Sequence, residues 1–322
     1  MPMIAPDPAV IDRAIKAGQL PEALRAGLAD PPARIALTLV TRDGVRRLDC
    51  YTVAGTAPKL AAVTSSGNGK AAATFPLENA AIEALLNETL GLDAPLAELG
   101  IDKDLDGAAL WALAAMADAH RQRELESLLA STPARHVAVD EDAIYLRVLD
   151  GAALPDPRWL SGLLTQLLGP GDVSEARLQT GLVGLARAGL VAEDEDGLWA
   201  ARPEFATAFA QLEVPLAGAM LSIDRRTGNG IDHGTLALLR TLSAGWTVEP
   251  HGTGEASGVR LRSMGRDAIR SITHAALTRA LQAELTSAKT VNTGETRSFC
   301  PQCGRPTAAT DRFCGQCGVK LG

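Results

Sequence analysis

Four cysteines near the end of the chain carry its clearest chemistry. Phe299 to Gly322 reads FCPQCGRPTAATDRFCGQCGVKLG, with Cys300 and Cys303 as one CxxC pair, Cys314 and Cys317 as a second, and ten residues between the pairs. Gly304 and Gly318 follow the pairs. A turn after the second sulfur needs a residue tolerant of φ > 0, and the backbone N–H groups beyond it can then face the thiolates. Four thiolates close a tetrahedral shell, the arrangement of a structural Zn²⁺ site. With every position taken by sulfur, no place is left for water or substrate, so this metal is expected to be structural and not catalytic. A pair of disulfides would need an oxidising compartment. Met1 to Val10 has no basic start followed by an apolar core, so a cytoplasmic chain is expected. A rubredoxin-type iron site would sit among aromatics in a larger packed domain, and only Phe299 and Phe313 are near.

This segment resembles the short zinc ribbons found at the ends of many bacterial proteins, in which FCxxCG recurs. The resemblance covers only the last 24 residues. It implies a zinc-stabilised interaction module and leaves the remaining chain to its own pattern.

That remaining chain is long enough, at 322 residues in all, for more than one typical domain. Aromatics are 3% of it, so the core must be built from Leu, Ala and Val. No apolar run approaches the roughly 18 residues that a membrane span needs. The net charge of −7 is concentrated: between Arg135 and Pro215 thirteen acids face six arginines, a local balance of −7. An acidic middle disfavours nucleic acid there, because phosphate neutralisation supplies most non-specific affinity, and is expected to meet a basic protein partner. Cys50 lies in an alternating pattern and reads as a small buried hydrophobe.

Residues 1–32 form an N-terminal arm with helical stretches at Ala9–Ala17 and Pro21–Leu28. From Arg34 the period becomes two: IALTLVT, a turn at Arg42-Asp43-Gly44, RRLDCYTV, KLAAVT, a turn at 65–69, and KAAATF. A helix with Ile82, Leu85, Leu86 and Leu90 on one face follows. The same order returns late in the chain as AGAMLSIDR, TLALLRTL, WTVEPHG, VRLRSM and a helix from about Asp267 to Leu281. The pattern predicts a degenerate duplication, with ββββα units at 33–104 and 215–284.

Between them, residues 105–214 read as an acidic helical block. A long helix is predicted from Leu105 to Ser131, then helices at Asp140–Leu149 and Trp159–Leu168. A further helix, opened by a capping box of Asp172 and Glu175, ends at Gly189. A hairpin turning through Glu193-Asp194-Glu195-Asp196 completes an element order that resembles a winged helix over 157–202. Four carboxylates at the wing would repel DNA, so a protein-contact or structural role is expected. A calcium loop would need D-x-[DN]-x-[DN]-G with a distal Glu, which is absent. A polar linker at 285–297 then leads to the ribbon at 298–322.

Other candidates for chemistry are thin. GNGK at Gly67 to Lys70 lacks the glycine and the Ser/Thr of a phosphate loop. His120, His136, His233, His251 and His274 are scattered, with no HExxH and no cysteine at ligand spacing. Arg260 and Arg262 alternate onto one strand face, with Arg225, Arg226, Arg240, Arg266 and Arg270 near in sequence, so a basic sheet face is one expectation and a solvated, balanced one is another. The sequence thus describes an α+β protein: two ββββα units flanking a helical, winged-helix-like block, plus a C-terminal zinc ribbon. The expected function is a non-enzymatic adaptor that binds protein partners through its body and its ribbon. The alternatives are a nucleic-acid-associated regulator using the arginine face and the ribbon, and a chaperone-like binder of secreted substrates.

Overall fold

Side chains of a strand point alternately to opposite faces, and the first strand uses this to build two cores at once. In β1 (Ala33–Thr41) Ile35, Leu37 and Leu39 are buried on one face, while Val40 joins a separate core on the other. The computed structural model describes residues 5–53, 59–65, 71–132, 138–171, 174–227, 230–252, 258–291, 298–299 and 306–307. The strands β2 (Gly44–Val53), β3 (Lys59–Ser65) and β4 (Ala71–Leu77) continue from β1 as an antiparallel meander closed by helix α3 (Asn79–Thr89). The second meander is β8 (Pro215–Thr227), β9 (Gly230–Thr241), β10 (Gly245–His251) and β11 (Gly258–Met264), closed by α9 (Arg266–Val291).

The two meanders fuse. Strand β1 pairs antiparallel with β8, Leu37 opposite Leu221, and the sheet runs β4-β3-β2-β1-β8-β9-β10-β11. The order is mirrored about that seam, as a two-fold relation between the units requires. A backbone detail agrees: Gly44 and Gly230 each open the second strand of their unit with φ of 134° and 131°, opposite Thr41 and Thr227. Only glycine adopts that conformation without strain. Helices α3 and α9 lie on one face, where Ile82, Leu86, Ile269 and Leu277 are buried with Leu37, Leu221 and Leu238. His274 Nδ1 of α9 meets Glu83 Oε1 of α3 at 2.8 Å, and Arg270 donates to the carbonyl of Leu92 at 2.9 Å.

The opposite face is covered asymmetrically. Helices α1 (Pro8–Lys16) and α2 (Arg25–Ala29), joined through a 3-10 turn at Glu22–Leu24, pack Val10, Ile11 and Leu28 with Tyr51, Val53 and Ala61. Over the other half lie α4 (Gly107–Leu129), α5 (Glu141–Ala153), α6 (Leu160–Leu168), α7 (Glu175–Arg187) and α8 (Pro203–Leu212), with the hairpin β6 (Val191–Glu193) and β7 (Trp199–Ala201). Their core shares Leu113, Met116 and Leu163 with Leu239, Trp246 and Val248 of the sheet. Glycine permits three close approaches, two of them to backbone. A Cβ at Gly181 of α7 would stand 2.4 Å from the Ala108 carbonyl oxygen of α4, one at Gly162 of α6 would stand 2.2 Å from that of Asp156, and one at Gly218 of β8 would meet Leu167 at 2.6 Å.

Several element boundaries differ from the sequence reading. Residues Asp102–Asp106 form β5, the ninth strand of the sheet, paired to β11, so the long helix starts at Gly107 and not at Leu105. Asp106 is its cap, accepting from Ala109 N at 2.7 Å. Helix α8 was not expected; Pro203 at its first turn and buried Phe205, Phe209 and Leu212 explain it. Helix α7 is entered from Ser174, not from Asp172, which lies outside the described residues. Helix α3 starts at Asn79, after the strand residue Leu77. Helix α9 runs to Val291, through residues expected to begin the linker, because a turn propagates readily once a packed helix has nucleated. The fold is α+β, with helix, helix and hairpin in sequence at α6, α7 and β6–β7. The four ribbon cysteines, and the GNGK segment at 67–70, lie outside the described residues.

A fork in the sheet as the candidate functional site

Strand β10 pairs with β11 along its whole length, from Gly245–Met264 to His251–Gly258. Its pairing to β9 is shorter and stops at Val248 opposite Ala237. Pro250, two residues on, has no N–H to donate and cannot extend that ladder. From Leu236 back to Gly230, β9 is therefore laddered, among the described residues, to β8 alone. The sheet forks there. The β9 edge facing the gap keeps backbone donors and acceptors that no described strand satisfies.

A cavity of about 920 Å³ occupies the fork, with His233, Gly234 and Thr235 of β9 on one side and Glu249, Pro250 and His251 of β10 on the other. A second cavity of about 390 Å³ shares His233, Gly234, Thr235 and Glu249 with it and follows α9. Its floor is Leu221, Ile223 and Leu236, and its wall is Ile272, Ala276 and Ala280. Gly234 pairs with Ile223, on the face that carries Leu221 and Leu236, and a Cβ built on it meets nothing within 4 Å. The floor is open above that glycine.

Most of the arginines around the site are paired with carboxylates. Arg225 meets Asp232 at 2.5 Å, Arg260 grips both oxygens of Asp102 at 2.8 and 2.7 Å, and Arg262 pairs with Glu249. The Arg260 contact holds the Asp102 carboxyl below its ordinary range. Arg226 pairs with Asp30, Arg266 with Asp267, and Arg270 with Asp93. Arg240 is half-buried, and burial lowers its pKa. The basic sheet face that the arginines suggested is thus largely neutralised: Arg225, Arg260 and Arg262 meet carboxylates of β9, β5 and β10, which the linear sequence did not put beside them.

One arrangement here has the form of a relay. Thr235 Oγ1 and His233 Nε2 are 3.0 Å apart, and His233 Nδ1 is 2.6 Å from Asp224 Oδ1. The three lie on adjacent strands, with Asp224 opposite His233 in the ladder. The ring is largely exposed, and acyl transfer would further need donors aimed at a developing oxyanion in a site that excludes water. The geometry orients a histidine and goes no further.

The remaining sequence candidates are dispersed. Cys50 is fully buried and its thiol is pushed up to about 12 by burial, which removes nucleophilic character. Glu193 to Asp196 form an exposed turn that Asp194 organises by accepting from Asp196 N and Leu198 N at 3.0 and 2.8 Å. His274 pairs with Glu83, His251 lies 3.6 Å from Asp104, and His136 is outside the described residues. His120 lies against Glu213. The fork itself was not anticipated, although Pro250 inside WTVEPHG was the available signal. Among the described residues no helix is long and apolar enough to cross a membrane.

No protein-family model matches the chain, nor does any curated protein. Among solved structures it is similar to the Mycobacterium tuberculosis type VII secretion system chaperone EspG5 in complex with the PE25-PPE41 dimer, with 10% identity, 82% of each chain covered and a TM-score of 0.38.

Proposed function

We propose that the chain is a non-enzymatic protein-binding adaptor that takes an extended segment of its partner into the fork. The observation that carries this reading is the unsatisfied edge of β9 beside an apolar floor. A strand edge is a template for a further strand, with main-chain hydrogen bonds giving affinity and side-chain pockets giving selectivity. The floor and the α9 wall would receive alternate apolar side chains of that segment, and the balanced charge of the rim suits a polypeptide better than a polyanion. The zinc ribbon, with Cys300, Cys303, Cys314 and Cys317 as ligands of a structural Zn²⁺, would add a second contact and raise effective concentration. A chaperone-like holder of secreted clients would use the same fork and differ in letting the segment go. The nucleic-acid reading loses most of its motive, since six of the seven arginines that prompted it are paired with carboxylates.

Gly234→Trp is the direct test. Open space above Gly234 lets the indole fill the groove without displacing the sheet, and tryptophan suits a strand. Affinity purification from nuclease-treated lysate should yield a protein partner with the wild-type chain. The variant should lose it by about tenfold or more while its thermal unfolding is unchanged. Equal recovery with the variant would contradict the site, and recovery that nuclease abolishes would contradict the class of partner.

A further inference from the structure

We propose that His120, Glu124 and Glu213 form a binding site for a divalent transition cation, with Zn²⁺ the best match, where α4 meets the corner between α8 and β8. The site is remote from the fork, and its donors share nothing with the ribbon cysteines. His120 and Glu124 stand four residues apart on α4, so they share one helix face. Glu213 is the C-cap of α8, two residues before β8 begins. One ligand atom from each of the three lies within 4.8 Å of the others.

A second observation points to a ligand. Glu213 is only 6% exposed, and its Oε1 is buried without a hydrogen-bond partner. His120 Nδ1 is also buried and unpartnered in that sense: it lies against Glu213 Oε1, but the two do not meet in hydrogen-bond geometry. With Nδ1 unprotonated, two lone pairs face each other in a buried place, and the cost of their lost hydration goes uncompensated. A cation accepting a lone pair from each removes it. The ring is already oriented, with Phe209 of α8 edge-on at 5.5 Å. One imidazole and two carboxylates suit zinc, whereas calcium and magnesium favour oxygen donors alone. Three protein ligands leave a position for water, on the side of Glu124, the most exposed of the three. Bound there, the ion would clamp the bundle to the strand that starts the second half of the sheet.

The test uses the full chain with Cys300, Cys303, Cys314 and Cys317 changed to serine, which silences the ribbon. Calorimetric titration with Zn²⁺ should show one equivalent bound and a raised melting temperature. Glu124→Gln, a near-isosteric change at the most exposed of the three positions, should leave folding intact and weaken binding at least about tenfold. His120→Gln should abolish it. Co²⁺ should give ligand-field bands without thiolate charge transfer. In the chain with its cysteines intact, zinc content should fall by one equivalent on Glu124→Gln, which keeps the test available if the serine chain misfolds. Zinc uptake that is absent from a folded serine chain, or identical in all these variants, would overturn the proposal.

Discussion

Replacing Trp246 by alanine is expected to cost about 3–5 kcal/mol of stability, among the largest effects of any single truncation in this protein. The indole is fully buried in β10, opposite Leu239 on β9 and Ser263 on β11. It belongs to the core formed by the sheet and helices α4 to α8, so its loss leaves a void against both layers. Its Nε1 lies 3.3 Å from Thr241 Oγ1, a hydroxyl that also donates to the Ala244 carbonyl at 3.0 Å, so the turn into β10 is loosened with it. Thermal and denaturant unfolding of the Trp246→Ala chain should both show the loss. Trp246→Phe should recover most of it, since a ring still fills the site. A truncation costing less than about 1 kcal/mol would mean that bundle and sheet are not one packed unit.

Asp118 should rank beside it. Helix α6 begins after Trp159, which provides no side-chain cap, and the missing acceptor comes from α4. The fully buried Asp118 carboxylate accepts from Leu160 N at 2.7 Å, Ser161 N at 2.9 Å and Ser161 Oγ at 2.5 Å. Asp118→Ala strands three buried donors and is expected to cost about 3–5 kcal/mol. Burial pushes this carboxyl up to about 6, and the three donors restrain it from rising further. The sign follows from proton counting. Between the ordinary aspartate range and about 6 the folded chain holds a proton that the unfolded chain has released. The stability this confers is full below the ordinary range and lost as pH rises through about 6. Other carboxyls, such as Asp102 and Asp156, are lowered and act in the opposite sense. The informative quantity is therefore wild type minus Asp118→Asn. That difference should grow in favour of wild type by up to about 3 kcal/mol as pH falls from about 7 to about 4. A difference that is flat with pH would mean that the Asp118 carboxyl is not shifted.

Much of the fold was legible because its signals are local. The alternation in IALTLVT and TLALLRT, the Asp-Gly turn and the stripes Ile82-Leu86 and Ile269-Leu277 each lie within one window of sequence, and the repeated order of elements exposed the two ββββα units. What joins the units was not legible. The β1–β8 seam brings Leu37 to Leu221 across more than half the chain, and any apolar strand offers the same edge. Strand β5 escaped because DKDLD buries only Leu105 well, its other face being acids, of which Asp102 meets Arg260 of a distant strand. Helix α8 did carry a readable period in Phe205, Phe209 and Leu212. Asp118 in a helix interior looks like any solvated acid until α6 is laid across it. The same holds for the site residues: Pro250 marks where a ladder must stop, but a fork exists only once β9 is known to lie beside it. His120 and Glu124 have ligand spacing in sequence, and Glu213 joins them only through the packing of α8.

Among the described residues β9 has a free edge from Ile231 to Leu236 and a paired one beyond it, and the proposed function depends on that difference. Amide hydrogen exchange along β9 tests it without knowledge of any partner. In the free chain, amides from Ala237 to Arg240, laddered on both sides, should exchange slowly, near the rate set by global unfolding. Those of Ile231 to Leu236 that face the fork should exchange orders of magnitude faster, and should slow when a partner segment is bound. Uniform protection along the whole of β9 in the free chain would contradict the account, because an edge already satisfied has nothing to offer a partner.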